Sequence, residues 1–490
     1  MQKYRNVNRV LIYVVLALIV GLSSCKRDGY YTGADAKLQF SESRIMFDTV
    51  FTSVSTITKV LKVKNPYKSD IKTDIVLVGG SVSYFSINVD GVPGRHLKDV
   101  EIPAQDSIFI FIKANINPNG ENNPMLACDT IAFFTNGNRQ NVELLAYGQD
   151  AHFIIPNTTK YILYGQDTVG IIPNCRIIAG KNENIVWKND KPYVIYGYAL
   201  VDSDAKLTIE KGARIHFHKN GGLFVYIDGC LEVNGTKDEP VTFQGDRLDK
   251  RENNDYKQWD RIWICESNND SKIEYAVIKN AFIGIQTETL IAKKSGKLTL
   301  SNTVIQSCHR AGLLSMGYAI DAYNNIFSNC VEHCVGLQGG SYTFTNNTIY
   351  NQYSFQRKIP ALYISNFFEI TKDVRILDDF SGVFVNNIIS GRISGDTATE
   401  LYYNIDKRAA FSALFENCLI RTTSSKLSDA SISAVNTLLN RDPAFVNIEK
   451  FDFKLESNSP CKSAGKSIIW LTTDIEGNPR NVPPSVGAYE

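Results

Sequence analysis

Short runs in which apolar and polar residues alternate fill the chain from about residue 37 to residue 150. Within 58–63 and 72–75 the two kinds of residue trade places, which is the period-two pattern of a strand with one buried face. Asn136 and Gly137 separate two such runs, and both residues tolerate the positive φ of a tight hairpin turn. About six or seven strands of this kind predict a β-sandwich.

The pattern changes at Lys206, where the strands become shorter and are broken at near-regular intervals. Small sets of apolar residues alternate with polar partners at positions 207/209, 215/217, 223/225/227, 231/233 and 241/243. Each set is too small to form a core alone. The segment therefore predicts coils that stack on one another and share a continuous core.

A short sequence motif that contains asparagine recurs in the second half of the chain. Asn302, Asn324 and Asn346 lie 22 residues apart, and looser copies follow at Asn386 and Asn417. A fixed period of this size indicates one structural coil per repeat. We expect these asparagines to turn the chain at a corner and to bond to the equivalent asparagine of the next coil, forming a ladder.

The motifs of this second segment resemble right-handed parallel β-helix proteins of the pectin-lyase-like superfamily. The resemblance is carried by residues 207–215, 229–236, 240–243, 442–445, 474–480 and 486–490, with Ser463 where Asp is usual. It implies that residues 151–490 form a right-handed parallel β-helix with a C-terminal cap. Because that superfamily holds lyases, hydrolases, adhesins and inert scaffolds, the fold leaves the activity open.

Residues 37–150 resemble the immunoglobulin-like modules found near the N-terminus of bacterial envelope proteins. Segments 47–51, 63–66 and 144–148 carry this resemblance. It implies a spacer or a docking platform. The expected fold class is thus all-β, with an immunoglobulin-like β-sandwich followed by a right-handed parallel β-helix.

The N-terminus has the pattern of an export signal. Lys3, Arg5 and Arg9 precede an unbroken apolar stretch, residues 10–22, which is too short to span a bilayer and suits a signal peptide over residues 1–24. Leu22 to Cys25 resembles a bacterial lipobox, in which the cysteine thiol receives the lipid. The alternative is a plain secretory signal in which this cysteine is incidental.

The lipobox resemblance implies a lipid attached at Cys25 and a tether over residues 25–36. No Asp follows Cys25 directly, as in Bacteroidetes-type lipoproteins that are sorted to the outer membrane. Several acyl chains hold a protein on a membrane far more firmly than one chain does. We therefore expect an outer-membrane protein, and its periplasmic and surface faces both fit.

Charge and cysteine usage exclude some functions. The chain has 52 Lys and Arg residues and 51 Asp and Glu residues, so it lacks the excess of positive charge that is typical of nucleic-acid-binding proteins. The nine cysteines after Cys25 are scattered and odd in number, so a dense disulfide scaffold is not expected. Cys330 and Cys334 lack a second ligand pair, so we expect buried thiols there rather than a metal site.

The richest charged segment runs from Asp246 to Arg261 and interrupts the coil pattern, so it predicts a loop. Its acids and bases suit a glycan site, and an indole can stack on a sugar ring; the candidate glycan-binding residues are Asp255, Trp259, Asp260 and Arg261. Mixed charge is equally typical of a solvated insertion. His216 and His218 alternate with core residues, which predicts an outward-facing pair on one strand.

Two hypotheses for the function follow. The first is a non-catalytic scaffold that binds a polysaccharide or another envelope component along its parallel face, with no cofactor. The second is a polysaccharide lyase or glycoside hydrolase acting on a uronate-containing glycan, and Ca²⁺ is expected only in the lyase case. No catalytic residue can be assigned from the sequence, and a groove that gathers acids with Lys or Arg would favour the enzyme.

Overall fold

The computed structural model describes residues 29–51, 58–115, 125–164, 167–247, 256–289, 292–354, 356–371, 374–393, 399–423, 427 and 429–490. The chain divides into two compact units, residues 1–149 and residues 150–490, each with its own hydrophobic core. Strands dominate both units, and the helical turns include Gly80–Val82 and Ile448–Lys450. The predicted all-β class is confirmed.

Two five-stranded sheets form the first unit. Its strands are β1 (Gln39–Phe40), β2 (Arg44–Phe51), β3 (Lys59–Lys64), β4 (Ile71–Leu77), β5 (Phe85–Val89), β6 (Val92–Pro93), β7 (His96–Ile102), β8 (Ser107–Ala114), β9 (Met125–Thr135) and β10 (Asn138–Gln149). The strand orders are β1-β3-β8-β5-β6 and β2-β10-β9-β4-β7. All pairs are antiparallel except β2 with β10.

The core of the sandwich follows from the alternating pattern. Leu61 and Val63 of β3, Ile110 of β8 and Phe133 of β9 are buried, and all belong to one apolar cluster that both sheets share. Asn136 and Gly137 join β9 to β10 with φ values of 47° and 84°. The tight hairpin predicted at these two residues is therefore confirmed.

The second unit is a parallel β-helix built from three long sheets. Sheet 1 contains β12 (Thr158–Tyr164), β13 (Asp167–Ala179), β16 (Tyr198–Val201), β19 (Gly222–Val225), β22 (Ile262–Cys265), β25 (Ile283–Glu288), β28 (Ala311–Met316), β31 (His333–Gln338), β34 (Leu362–Ser365) and β39 (Leu401–Asn404). Sheet 2 contains β14 (Asn184–Trp187), β17 (Lys206–Glu210), β20 (Cys230–Asn234), β23 (Ser271–Glu274), β26 (Leu298–Ser301), β29 (Ala319–Tyr323), β32 (Gly340–Thr345), β37 (Phe380–Val385), β40 (Phe411–Glu416) and β42 (Ile432–Val435).

Sheet 3 contains β11 (His152–Ile154), β15 (Tyr193–Ile195), β18 (Arg214–Phe217), β21 (Val241–Gly245), β24 (Ala276–Lys279), β27 (Val304–Gln306), β30 (Ile326–Ser328), β33 (Thr348–Asn351), β38 (Ile388–Gly391), β41 (Leu419–Ile420) and β43 (Leu438–Leu439). Two antiparallel hairpins lie outside the coils, β35 (Phe367–Thr371) with β36 (Val374–Leu377) and β44 (Phe445–Asn447) with β45 (Asp452–Leu455).

Each coil visits sheet 1, sheet 2 and sheet 3 in turn. We call the connection from sheet 1 to sheet 2 corner 1, that from sheet 2 to sheet 3 corner 2, and that back to sheet 1 corner 3. Neighbouring strands in the three sheets are parallel, with β12 against β13 the antiparallel exception. Equivalent residues of successive coils therefore lie directly above one another, about 4.8 Å apart.

The asparagine period marks corner 2. Asn302, Asn324, Asn346, Asn386 and Asn417 have φ between 50° and 58°, the left-handed conformation that Asn tolerates better than most residues. The Asn324 side chain donates to Asn302 at 3.1 Å, and that of Asn386 donates to Asn346 at 3.0 Å. The predicted corner and its ladder are confirmed.

A second, deeper ladder lies one residue further on. Asn325, Asn347 and Asn387 are completely buried, and their side chains bond from coil to coil at 2.9–3.0 Å. Each also satisfies backbone groups at the corner, as when Asn347 donates to the Ala322 carbonyl at 3.0 Å. The outer asparagines also bond to the C-terminal tail, for example Asn346, which donates to the Ser485 carbonyl at 3.1 Å.

The predicted buried thiols are present. Cys308, Cys330 and Cys334 lie in the β-helix core with no exposed surface, and the nine cysteines after Cys25 are free. Burial raises the pKa of the Cys308 and Cys334 thiols well above the ordinary value. These side chains act as small apolar residues in the core.

The buried ladder yields a prediction about stability. Asn347→Ala removes two donated and two accepted side-chain bonds in a dry site, so we expect a loss of about 3 kcal/mol in the free energy of unfolding. Asn302→Gly keeps the left-handed backbone and removes one partly buried bond, and should cost less than about 1 kcal/mol. Denaturant unfolding followed by tryptophan fluorescence measures both, since all four Trp residues lie in the second unit. Equal losses would contradict the buried ladder's role.

Candidate functional site

A cleft of about 220 Å³ opens at corner 3, where the chain returns from sheet 3 to sheet 1. Two successive coils supply its walls: the short turn after β18 and the long insertion between β21 and β22. It is lined by His218, Lys219, Asp246, Arg247, Tyr256, Lys257 and Gln258. The described residues at the two ends of the Asp246–Arg261 segment, which was predicted to be a loop, thus line one wall of a concave site.

A histidine–carboxylate pair lies in this cleft. The Nδ1–H of His218 donates to Oδ2 of Asp246 at 2.7 Å. Backbone bonds hold both residues, because the His218 amide donates to Ile195 at 2.8 Å and the Asp246 amide to Phe217 at 3.0 Å. The Asp246 carboxylate raises the pKa of His218 above its ordinary value. With Nδ1 occupied, Nε2 is the ring nitrogen that can exchange a proton with a ligand.

His216 is buried, unlike His218. The prediction that both histidines face outward is therefore wrong for His216. The side chain of His218 is 46% exposed, whereas His216 is 4% exposed and its Nδ1 lies 3.3 Å from the Gly245 carbonyl oxygen. Burial lowers the pKa of His216 to about 4, so this ring is neutral at ordinary pH. Its contact with Gly245, on the neighbouring coil, is one that the alternating sequence pattern does not reveal.

Cationic side chains outnumber carboxylates among the described residues that line the cleft. Of these seven residues, Lys219, Arg247 and Lys257 are cationic and exposed, and Asp246 supplies the carboxylate. The Lys257 ammonium lies 5.1 Å from the centre of the Phe282 ring, and the Arg261 guanidinium lies 5.6 Å from the same ring. Two cationic side chains therefore lie near Phe282, of which Arg261 is paired with Asp260.

Aromatic rings flank the same cleft. Tyr196 stacks on His218 with 4.6 Å between ring centres, and Tyr256 makes an edge contact with Tyr353 at 5.2 Å. Burial raises the pKa of Tyr256 to about 12, so the phenol stays protonated and can donate a hydrogen bond. Rings beside polar groups suit the alternating apolar and hydroxyl faces of a sugar.

The sugar-stacking role predicted for Trp259 is wrong. Its side chain is 1% exposed, its ring stacks on Phe217 at 4.2 Å, and its indole N–H donates to the Lys279 carbonyl at 2.8 Å. The residue fills the β-helix core where the insertion rejoins the coil. The exposed aromatic beside the insertion is Tyr353, which the sequence reasoning missed.

Asp260 and Arg261 form a two-pronged ion pair at the end of the insertion. Arg261 donates to the two carboxylate oxygens at 2.9 and 3.1 Å, and Asp260 also accepts from Tyr198. Arg261 further donates to Gln286, which in turn donates to Glu288 at 2.5 Å. Both ends of the pair are partly exposed, so their glycan-binding role stays a prediction. Asp255 lies outside the described residues.

Glu288 ends this network on sheet 1. It is almost completely buried, and burial raises the pKa of its carboxyl above the ordinary value. Within the described part of the chain, no three His, Cys, Asp or Glu side chains come close enough together to hold a metal ion. Likewise, none of the helical segments in the described ranges has the length and apolar character needed to cross a lipid bilayer.

The strand register shows why the sequence analysis did not identify the His218–Asp246 pair. Phe217 of β18 pairs with Gly245 of β21, so His218 and Asp246, each the next residue, occupy one column on adjacent coils. Their spacing of 28 residues differs from the 22-residue period. The signal becomes visible only when the coil boundaries are known.

Solved structures that match the chain share little sequence with it and have low TM-scores. The catalytic unit of a thermostable GH87 alpha-1,3-glucanase from Streptomyces thermodiastaticus strain HF3-3 is 9% identical, with 83% of this chain and 96% of that chain covered and a TM-score of 0.23. A family 123 glycoside hydrolase from Clostridium perfringens is 7% identical over 24% of this chain and 30% of that chain, with a TM-score of 0.17. The alignment thus spans less than a third of that enzyme.

The family comparison concerns the coils that build the cleft. No curated protein matches the sequence significantly. Residues 179–284 match the model of the pectate-lyase-like β-helix domain. This range contains β14 to β24, including the turn after β18 and the insertion after β21. This part of the second unit is therefore similar to a pectate-lyase-like β-helix domain.

Proposed function

We propose that the β-helix binds an acidic, uronate-containing glycan in the corner 3 cleft, as a non-catalytic component of the cell envelope. The observation that carries this proposal is the excess of cations among the described residues that line the cleft, where Lys219, Arg247 and Lys257 lie beside the carboxylate of Asp246. Sugar carboxylates on adjacent rings can pair with such a row of cations. Tyr256 and Tyr353 offer apolar surface beside it.

The His218–Asp246 pair adds a pH dependence to this binding. Because its pKa is raised, His218 carries a proton to a higher pH than an ordinary histidine does. The added positive charge is present below the raised pKa and is lost as the pH rises through it. Binding of an acidic glycan should therefore strengthen as the pH falls from about 8 to about 6.

A charge reversal tests the binding proposal. Lys257→Glu changes two units of charge at the cleft rim and should weaken binding of hexagalacturonate about tenfold at low ionic strength, measured by isothermal titration calorimetry. Added salt should reduce the difference in affinity between Lys257→Glu and the unchanged protein, because Lys257 is exposed and its charge is screened.

Lys237→Glu is the matched control. Lys237 is an exposed lysine at corner 2, between β20 and β21, so the same change of net charge is made on another edge of the coil. It should leave the affinity within about twofold of the unchanged protein. Equal weakening by both variants, or no binding by the unchanged protein, would refute the cleft as a uronate site.

A second candidate function is β-elimination on the same glycan. The His218–Asp246 pair favours it, since an exposed histidine oriented by a carboxylate suits a general base. Nε2 of His218 would take the proton next to the uronate carboxylate, the C–O bond to the leaving sugar would break, and a C=C bond would form. The leaving oxygen would take a proton from solvent, and Lys257 or Arg247 would neutralise the carboxylate.

Turnover separates the two functions. If the protein is a lyase, polygalacturonate should yield an unsaturated product with ultraviolet absorbance, and His218→Gln should lower the rate at least about a hundredfold. The rate should rise with pH through the raised pKa of His218, because the base must be neutral, which is opposite in sign to the binding trend. His96→Gln, at an exposed histidine of the sandwich, is the control. No product at any pH leaves the binding function.

We further propose that the protein is anchored to the outer membrane through a lipid on Cys25. The lipobox-like residues before Cys25 support this, and the residues after it would form the tether. The sandwich, with its two five-stranded sheets, would then serve as an immunoglobulin-like spacer that carries the β-helix away from the membrane.

Cys25→Ser in the full-length chain tests the anchor. The variant should lose incorporation of labelled palmitate and should leave the membrane fraction, because the hydroxyl does not accept the lipid. Cys128→Ser, at the exposed cysteine of the sandwich, should keep both. Membrane retention of the Cys25 variant would refute the lipid anchor.

A further inference from the structure

A second, larger hollow lies along corner 1, on another edge of the coil from the cleft. Its volume is about 440 Å³, within the range of roughly 300–1,000 Å³ typical of ligand pockets. The corner segments that follow β22, β25, β28 and β34 and the first residues of sheet 2 strands line it. We call this hollow the corner 1 groove.

A glycine lets two coils approach closely at the edge of the groove. Gly340 has φ +88°, and a Cβ there would lie 2.2 Å from the Tyr318 carbonyl oxygen, so no other residue fits without a backbone shift. Gly340 pairs in register with Phe380, and Phe380 pairs with Phe411 in the following coil. The groove therefore lies where a column of large rings is interrupted by a residue without a side chain.

A column of hydroxyl groups lines one wall. Ser341, Ser381 and Ser412 are exposed and in direct register on three successive strands of sheet 2. They repeat at the coil spacing of about 4.8 Å. At the start of its strand the half-buried Phe411 stacks on the buried Phe380, with 4.8 Å between ring centres and 15° between planes. Hydroxyls repeated at a fixed spacing match a ligand that also repeats hydroxyls along its length.

The charges of the groove are already paired within the protein. Lys293 forms an ion pair with Asp378, and Lys294 forms one with Asp228. Asp379 accepts from the Ala410 amide at 2.8 Å, and the buried Glu266 accepts from the Ala292 amide at 3.4 Å. Counting the partners, four carboxylates surround two lysines, so an anionic ligand would be repelled. Paired carboxylates and ammoniums still have acceptor and donor capacity for neutral hydroxyls.

From this composition we propose that the corner 1 groove binds a neutral oligosaccharide, at a site separate from the cationic cleft. Hydroxyl groups of the sugar would bond to Ser341, Ser381 and Ser412 and to the oxygens of Asp379. Apolar sugar faces would lie against Phe411. The proposal does not depend on the acidic-glycan function of corner 3, because no residue lines both sites.

Blocking the groove tests the proposal. The probes are cellohexaose, maltohexaose and laminarihexaose, titrated calorimetrically into the full-length protein. At least one should bind, and Ser341→Trp should weaken its binding at least about tenfold, because the indole would fill the groove from an exposed position. Ser412→Trp, two strands further along the same column, should do the same.

Thr343→Trp is the matched control. Thr343 is exposed on the same strand and face as Ser341, two residues further on, and it does not line the groove. The control should keep the affinity within about twofold. The proposal is overturned if none of the three neutral probes binds, or if S341W and T343W weaken binding equally.

Hexagalacturonate titrations on the same variants separate this proposal from the function of the cleft. S341W should bind hexagalacturonate as the unchanged protein does, and K257E should keep its affinity for the neutral probe. Loss of both ligands in S341W, at an unchanged unfolding temperature, would mean one shared site and would overturn the separate groove.

Discussion

The hydrogen bonds between successive coils are the constraint on which the rest of the second unit depends. A coil of 22 residues buries too little apolar surface to be stable alone, so it must lie in register on its neighbours. At corner 2 the register is fixed twice, by the outer asparagines and by the buried Asn325–Asn347–Asn387 ladder. A slip by one residue would leave these amides without partners and turn core residues outward.

Register also determines how functional groups come together. Residues that follow equivalent strands meet in columns, as His218 and Asp246 do at corner 3 and as the three serines do at corner 1. Insertions lengthen single coils without disturbing the columns on either side. The long segment between β21 and β22 can therefore carry Tyr256 and Lys257 to the cleft, while Trp259 anchors its end in the core.

The two hollows differ in how their charges are balanced. The described lining of the cleft holds Lys219, Arg247 and Lys257 with the carboxylate of Asp246, whereas Lys293 and Lys294 of the groove form ion pairs with Asp378 and Asp228. An ion pair already formed attracts an anion weakly, since a nearby negative charge cancels the positive one. One coil architecture can thus present surfaces that suit an acidic glycan on one edge and a neutral glycan on another.

Much of the fold could be predicted from the sequence, because alternation and the asparagine period are local patterns. Alternating runs specified the strands, and positive-φ residues such as Asn136 and Asn302 specified the turns. The candidate site was harder to predict from the sequence. The segment from Asp246 to Arg261 was identified as charged, but charge alone does not say which side chains face solvent. Trp259 is buried, Asp260 and Arg261 bond to each other, and Tyr353 comes from a coil distant in sequence.

The sequence by itself determined that the chain is all-β, that its second part repeats in coils, and where those coils turn. Only the tertiary structure decided that His216 is buried while His218 is exposed, and that His218 meets a carboxylate 28 residues away. The physical reason is that exposure and pairing in a β-helix are set by the coil above and below. Coil lengths vary because some coils carry insertions. The partner of a residue is therefore fixed by how the coils stack and not by the number of residues between the two partners.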